Sequence, residues 1–331
     1  MAIVSMTDPR VLGLMFRYRW DHHGSWAFAM HLQFSTLVLA ALMVLAGCQT
    51  GEFAEGPSED RAPVKSADVV DVPGGSAGLQ EAPSEDSIFA ESADVVDVPG
   101  DFSELQGAGF EKFTSIFGIP VVATQGVSED TILHVRSVLA DYLDNNEDGI
   151  ADNPRVVFAL RESKAVAAVF ETFREYEGFD DRNGYRSARP FELITMMQEE
   201  TDPAYGFDAS LEEVLHLVTQ LGFSLAYPDE LGESGDTGLV RALEEAQDSG
   251  DFSYEDWTCD SSCQATEYFY WAITSNMGLQ EQRCDEISQE WALCKPELLR
   301  ERNPAVFELI DSPEFQIPTV SPDGLYEPTT P

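Results

Sequence analysis

The run Leu37-Val38-Leu39-Ala40-Ala41-Leu42-Met43-Val44-Leu45-Ala46-Gly47-Cys48 divides this chain in two. A stretch this short cannot cross a bilayer as a permanent helix, which needs about 20 apolar residues. It does suit the core of a secretory signal peptide, with small residues at its end. Residues 1–47 are therefore set aside from the fold, and the mature chain is expected to run from Cys48 to Pro331. A signal peptide normally begins with a short basic segment, yet 36 residues precede Leu37. Met30 is an alternative start, with His31 as a poor basic region. Arg17 and Arg19 supply the charge if the longer start is used.

The small pair Ala46-Gly47 ahead of Cys48 resembles the lipobox of bacterial lipoproteins. The resemblance implies cleavage before Cys48, with lipid on its sulfur and on the new amino group. Several acyl chains hold a protein stably at a membrane where a single one does not. Gln49 follows the cysteine, where an Asp would suggest inner-membrane retention. The expected location is the cell envelope, at an outer membrane (periplasmic face or cell surface), reached through the lipid anchor.

The chain carries 60 acidic and 19 basic residues, a formal net charge of −41. Nucleic acid needs clustered Lys and Arg, so it is excluded as a partner. Contact of the protein surface with anionic headgroups is excluded on the same ground. High acidity keeps a protein hydrated in salt, where screening removes its self-repulsion. Beyond Cys48 the cysteines are Cys259, Cys263, Cys284 and Cys294. An even number in an exported chain predicts two disulfides, in any of three pairings. A four-cysteine zinc site is the rival, but it favours close CxxC pairs that are missing here.

Residues 48–105 are expected to be the lipidated cysteine and a disordered tether, rich in Pro, Gly, Ser, Glu and Asp. Residues 56–75 recur at 82–101, offset by 26, with 13 of 20 positions identical. Two copies are too few for a solenoid. They read as a duplicated spacer, or as a docking motif around Ala67-Asp68-Val69-Val70-Asp71-Val72.

A helix-rich α+β domain with few short strands is expected over 106–331. A strand over 116–123 would be an edge strand because of Pro120. Ser128 caps a helix with Ile132, Val135, Leu139 and Tyr142 on one face. Pro154 opens another that runs to about Phe170. Helices are also expected at 191–198, from Ser210 past Val218, and at 238–247, 264–275, 284–294 and 304–310. The Pro-rich end, 312–331, is expected to lie extended over the surface.

Between the first two helices stands Asp144-Asn145-Asn146-Glu147-Asp148-Gly149-Ile150-Ala151-Asp152. This matches the first nine positions of an EF-hand loop, at 144–155. Ca²⁺ needs six or more oxygens around a tight turn. Asp144, Asn146, Asp148, the carbonyl of Ile150 and Asp152 would supply them, and Gly149 permits the bend. Arg155 stands where the twelfth-position Glu belongs, so a further ligand must come from elsewhere, such as Glu162. A solvated acidic turn is the alternative.

The mature chain has two histidines, His134 and His216, which excludes a three-His metal site. His134 reads as a half-buried packing residue. Glu212-Glu213-Val214-Leu215-His216 puts Glu212 and His216 four apart on one helical face. The segment resembles the HExxH helix of zinc peptidases, with Glu212 in place of the first His. Glu213 then occupies the position of that family's general base. The segment around Glu267 (ATEYFYWA, 265–272) is similar to the glutamate-bearing helix of anthrax lethal factor-like zinc peptidases. The resemblance implies Glu267 as third ligand to Zn²⁺. The other reading is an amphipathic core helix with Glu212 and Glu213 turned outward.

FGIPVVAT (117–124), the segment 132–154, LEEVLHLV (211–218) and TEYFYWA (266–272) together resemble a set of uncharacterised secreted proteins with one calcium-type loop. No activity comes with that resemblance. Trp257, Tyr268, Tyr270, Trp271 and Trp291 could line a peptide or glycan groove, or form core. Two functions are carried forward. One is a lipid-anchored calcium-binding protein acting as a non-catalytic binding module. The other is a zincin-like metallohydrolase, or its degenerate descendant, using Glu212, Glu213, His216 and Glu267.

Overall fold

The computed structural model describes residues 17–20, 26–29, 89–91, 93–201 and 208–328. Cys48, the apolar run before it, the Met30 start and the first repeat copy lie outside the described residues. Strands β1 (Arg17–Trp20) and β2 (Trp26–Ala29) pair antiparallel, Arg17 opposite Ala29.

Five further strands form a mixed sheet in the order β3-β4-β5-β6-β7. They are β3 (Val96–Asp97), β4 (Lys112–Ile116), β5 (Ile119–Ala123), β6 (Ala165–Phe170) and β7 (Glu192–Met197). The pairs β3–β4 and β4–β5 are antiparallel; β5–β6 and β6–β7 are parallel. The helices are α1 (Ser103–Ala108), α2 (Glu129–Leu143), α3 (Pro154–Glu162), α4 (Phe173–Asp181), α5 (Gly184–Ala188), α6 (Gln198–Thr201) and α7 (Ser210–Val218). They continue as α8 (Ser224–Ala226), α9 (Gly238–Ser249), α10 (Ser261–Asn276), α11 (Cys284–Ile287), α12 (Pro296–Arg302) and α13 (Pro304–Ile310). The protein is helix-rich around a small mixed sheet.

Alternation along the strands splits the core into two layers, because successive side chains point to opposite faces. Val121, Ala123, Ala167, Val169, Ile194 and Met196 pack with residues of α2, α3 and α7. Val122, Val166, Ala168, Phe170, Leu193 and Met197 pack on the other side with Phe110, Tyr176 and Phe179. Every residue of β5 and β6 is buried. Such a strand reads as a plain apolar run, which periodicity cannot tell from a buried helix.

That ambiguity explains the first two corrections. The helix from Pro154 stops at Glu162, and 165–170 is strand. Residues 192–197, expected to be helical, form β7. The single strand expected over 116–123 is a hairpin, β4 and β5, turning at Phe117-Gly118. The strand carrying Pro120 is internal, not an edge. Its β6 ladder covers only Val121 to Ala123, so the missing proline N–H falls outside it. Residues 284–294 make one short helix, α11, and then a turn closed by a disulfide. The folded part also begins upstream of Gln106: β3 comes from the second repeat copy, and Leu105 is fully buried.

Other expectations hold. Ser128 accepts a hydrogen bond from Thr131 N at 3.1 Å, and Pro154 is the first residue of α3. The C-terminal segment lies extended, tied to the end of α2. Thr319 N and Val320 N both donate to Asn145 Oδ1 at 2.9 Å, and Gly324 N donates to Asp141 Oδ2 at 3.3 Å. The cysteines pair as Cys259–Cys263 and Cys284–Cys294. No helix among the described residues is long and apolar enough to cross a membrane.

Candidate metal centre

Helices α7 and α10 carry the centre. Ala209 is the N-cap of α7 and makes no side-chain cap hydrogen bond, while Asp208 before it accepts at Oδ1 from Ser210 N at 3.0 Å and from Ser210 Oγ at 2.5 Å. Ser210 itself is thus the first helical residue rather than the cap. After Val218 the helix widens into a π turn, Thr219–Phe223, before α8. Such turns recur at functional sites. Gly222 permits a close approach there: a Cβ would meet Val156 Cγ1 at 2.8 Å. From the same turn Gln220 Nε2 donates to Thr266 Oγ1 at 3.0 Å, tying α7 to the residue beside Glu267.

Asp260 caps α10, its Oδ1 accepting from Ser262 N and Cys263 N at 3.1 Å each. One turn further on, Glu267 projects toward α7. His216 Nε2 lies 3.8 Å from Glu212 Oε1 and 3.9 Å from Glu267 Oε1. Ligand atoms of all three residues fall within 4.8 Å of one another. A tetrahedral zinc with arms of about 2.1 Å separates its ligands by roughly 3.4 Å. The two His216 spacings lie within about half an ångström of that value, and the two carboxylates would draw together by up to about 1.4 Å to close on an ion. Among the described residues this is the group of His, Cys, Asp and Glu side chains that meets that spacing.

The side chains of His216 and Glu267 are 3% and 6% exposed, that of Glu212 17%. Burial, then the charges of Glu212, Glu290, Glu213 and Glu233, push the Glu267 carboxyl well above its usual range. Burial also raises Glu233 to about 8 and Glu200 to about 7, the latter with help from Glu199 and Glu212. So many carboxyls in a buried place are costly to ionise unless a cation is bound, and without one they hold protons instead. Glu213 is buried, which rules out its turning outward, and it does not join the three-residue group. Its charge bears on Tyr176 and Tyr185 on the sheet side as well as on Glu267.

The acidic loop after α2 is held by its own backbone. Asp144, fully buried, accepts from Asp148 N at 3.2 Å and Gly149 N at 2.8 Å. Asn146 Oδ1 accepts from Asp148 N at 2.9 Å, Asp148 Oδ1 from Ile150 N at 2.9 Å, and Asp152 Oδ2 from Asn145 N at 2.7 Å. Asp144, Asp148 and Asp152 do not converge as Glu212, His216 and Glu267 do. Arg155 turns away, its guanidinium 4.3 Å from the Tyr227 ring centroid. Besides Thr319 and Val320 on Asn145, Tyr326 reaches the loop from a distance, its hydroxyl donating to Asp144 Oδ2 at 2.5 Å. No local pattern in the sequence signals that contact.

His134 is more than a packing residue. Its Nε2 lies 2.7 Å from Asp208 Oδ2, and that hydrogen bond holds its pKa above the usual value. Of the aromatic set, Tyr268, Tyr270, Trp271 and Trp291 are core rather than groove, while Trp257 is exposed. No family model, no curated protein and no solved structure matches this chain.

Proposed function

We propose that this chain is a lipid-anchored metalloprotein of the cell envelope, with a divalent metal ion, zinc first, on Glu212, His216 and Glu267, and that its activity is hydrolytic. The convergence of these three side chains from two helices supports the reading. Three protein ligands leave a coordination position open, as hydrolytic zinc sites do. Zinc, when bound, polarises a carbonyl and makes water a nucleophile near neutral pH. In this chain Glu212 is the ligand nearest solvent, and His216 is held by its place between α7 and α10. Glu213 is the candidate base, by its position in the Glu-Glu-x-x-His segment.

The burial of His216 and Glu267 favours a second reading, a closed metal centre in a calcium-stabilised binding module. The acidic loop then holds Ca²⁺ through Asp144, Asn146, Asp148, the Ile150 carbonyl and Asp152. The two readings separate at Glu213→Gln. On the hydrolytic reading, zinc-loaded protein cleaves unstructured peptides, and Glu213→Gln keeps its zinc but loses at least a hundredfold in rate. Zinc retention without cleavage by the parent protein would leave the closed centre standing.

A further inference from the structure

The loop between Phe252 and Cys259 is braced at both ends. Phe252 bridges Trp291, and Ser253 N donates to Glu290 O at 2.9 Å. At the far end Cys259 is bonded to Cys263 in the first turn of α10. Within the loop Thr258 N and Oγ1 donate to Asp256 Oδ1 at 2.9 and 2.7 Å. Trp257 stands on this braced segment 90% exposed. The aromatics Phe252, Tyr268, Trp271 and Trp291 are buried, which sets Trp257 apart from them. In the sequence the charged residues flanking Trp257 are Glu255, Asp256 and Asp260, with no Lys or Arg from 242 to 282, and Arg302, which comes to the start of the loop, is paired with Asp251.

We propose that this loop docks a cationic segment of a partner polypeptide, with a Lys or Arg side chain seated on the Trp257 ring. An indole is the best side-chain face for a cation. Glu255 and Asp260, both exposed, add charge complementarity at the rim. The brace holds the loop backbone that carries the ring before the partner arrives, which lowers the ordering cost of binding. Anionic headgroups are repelled by the same three acids, so the occupant is a basic polypeptide rather than a lipid surface. The docking does not depend on a metal at Glu212, His216 and Glu267.

The test uses the full chain and three probes: a labelled Lys-Gly nonapeptide, its Glu-Gly counterpart, and phosphatidylcholine vesicles. Fluorescence anisotropy should show binding of the lysine peptide only, weakening between 50 and 500 mM salt. Trp257→Ala should weaken it about fivefold, Trp257→Phe less, and Glu255→Gln measurably. These side chains are exposed, so folding, checked by circular dichroism, should not change. Equal affinity in Trp257→Ala would overturn the proposal. So would equal binding of the two peptides, or vesicle binding that depends on Trp257.

Discussion

Glu267 occupies a place where a carboxylate without a cation costs stability. Its folded form holds a proton more tightly than the unfolded chain does, and so does Glu233, raised from 4.5 to about 8. Where the folded state binds more protons, stability falls as pH rises. The metal-free protein should therefore lose melting temperature between pH 5 and 8, and Glu233→Gln should flatten part of that loss. A flat profile in the parent protein would contradict the burial argument. At the acidic loop, Asp144→Ala should lower the melting temperature and remove its dependence on added Ca²⁺. Tyr326→Phe should cost about 1–3 kcal/mol by chemical denaturation, the range for a hydrogen bond to a buried charge. Unchanged stability in Tyr326→Phe would mean the strap contact contributes nothing. Glu212 and His216 were legible in the sequence because i,i+4 spacing is a local signal. Glu267 was reached only through the resemblance of 265–272 to a glutamate-bearing peptidase helix, since α10 is buried nearly all round and carries no amphipathic pattern. Tyr326 was not legible, since nothing in residues 144–152 announces a partner 182 residues away.

Among the elements, those with punctuation could be read directly. Ser128 and Pro154 marked the starts of α2 and α3, and the helices expected around 238–247, 264–275 and 304–310 are present as α9, α10 and α13. The strands β6 and β7 could not be read this way. AVAAVF is apolar at every position, and only pairing with β5 and β7 makes it strand. The π turn after α7 was equally silent, although Gly222 records the close approach to α3. Gly222→Ala forces Val156 and Leu160 to move, and should cost about 1–3 kcal/mol in urea unfolding. A variant as stable as the parent would mean α3 yields without strain. The Cys284–Cys294 bridge closes a short loop that carries Glu290 and Trp291 against α10. Its selective loss should cost about 3 kcal/mol.

For the molecule as a whole, the charge of −41 sets the conditions under which it is compact. Added monovalent salt screens that self-repulsion, so the melting temperature should rise from low ionic strength to about 0.5 M. A fall would show that favourable ion pairs outweigh repulsion. The same excess of acids makes a bound cation at α7 and α10 electrostatically favourable. The most direct test is the zinc and calcium content of the purified full chain, by mass spectrometry, beside that of Glu267→Gln. The account predicts about one zinc per chain, retained through gel filtration and lost in Glu267→Gln. Calcium alone, with no zinc retained or taken up by the parent chain, would contradict it.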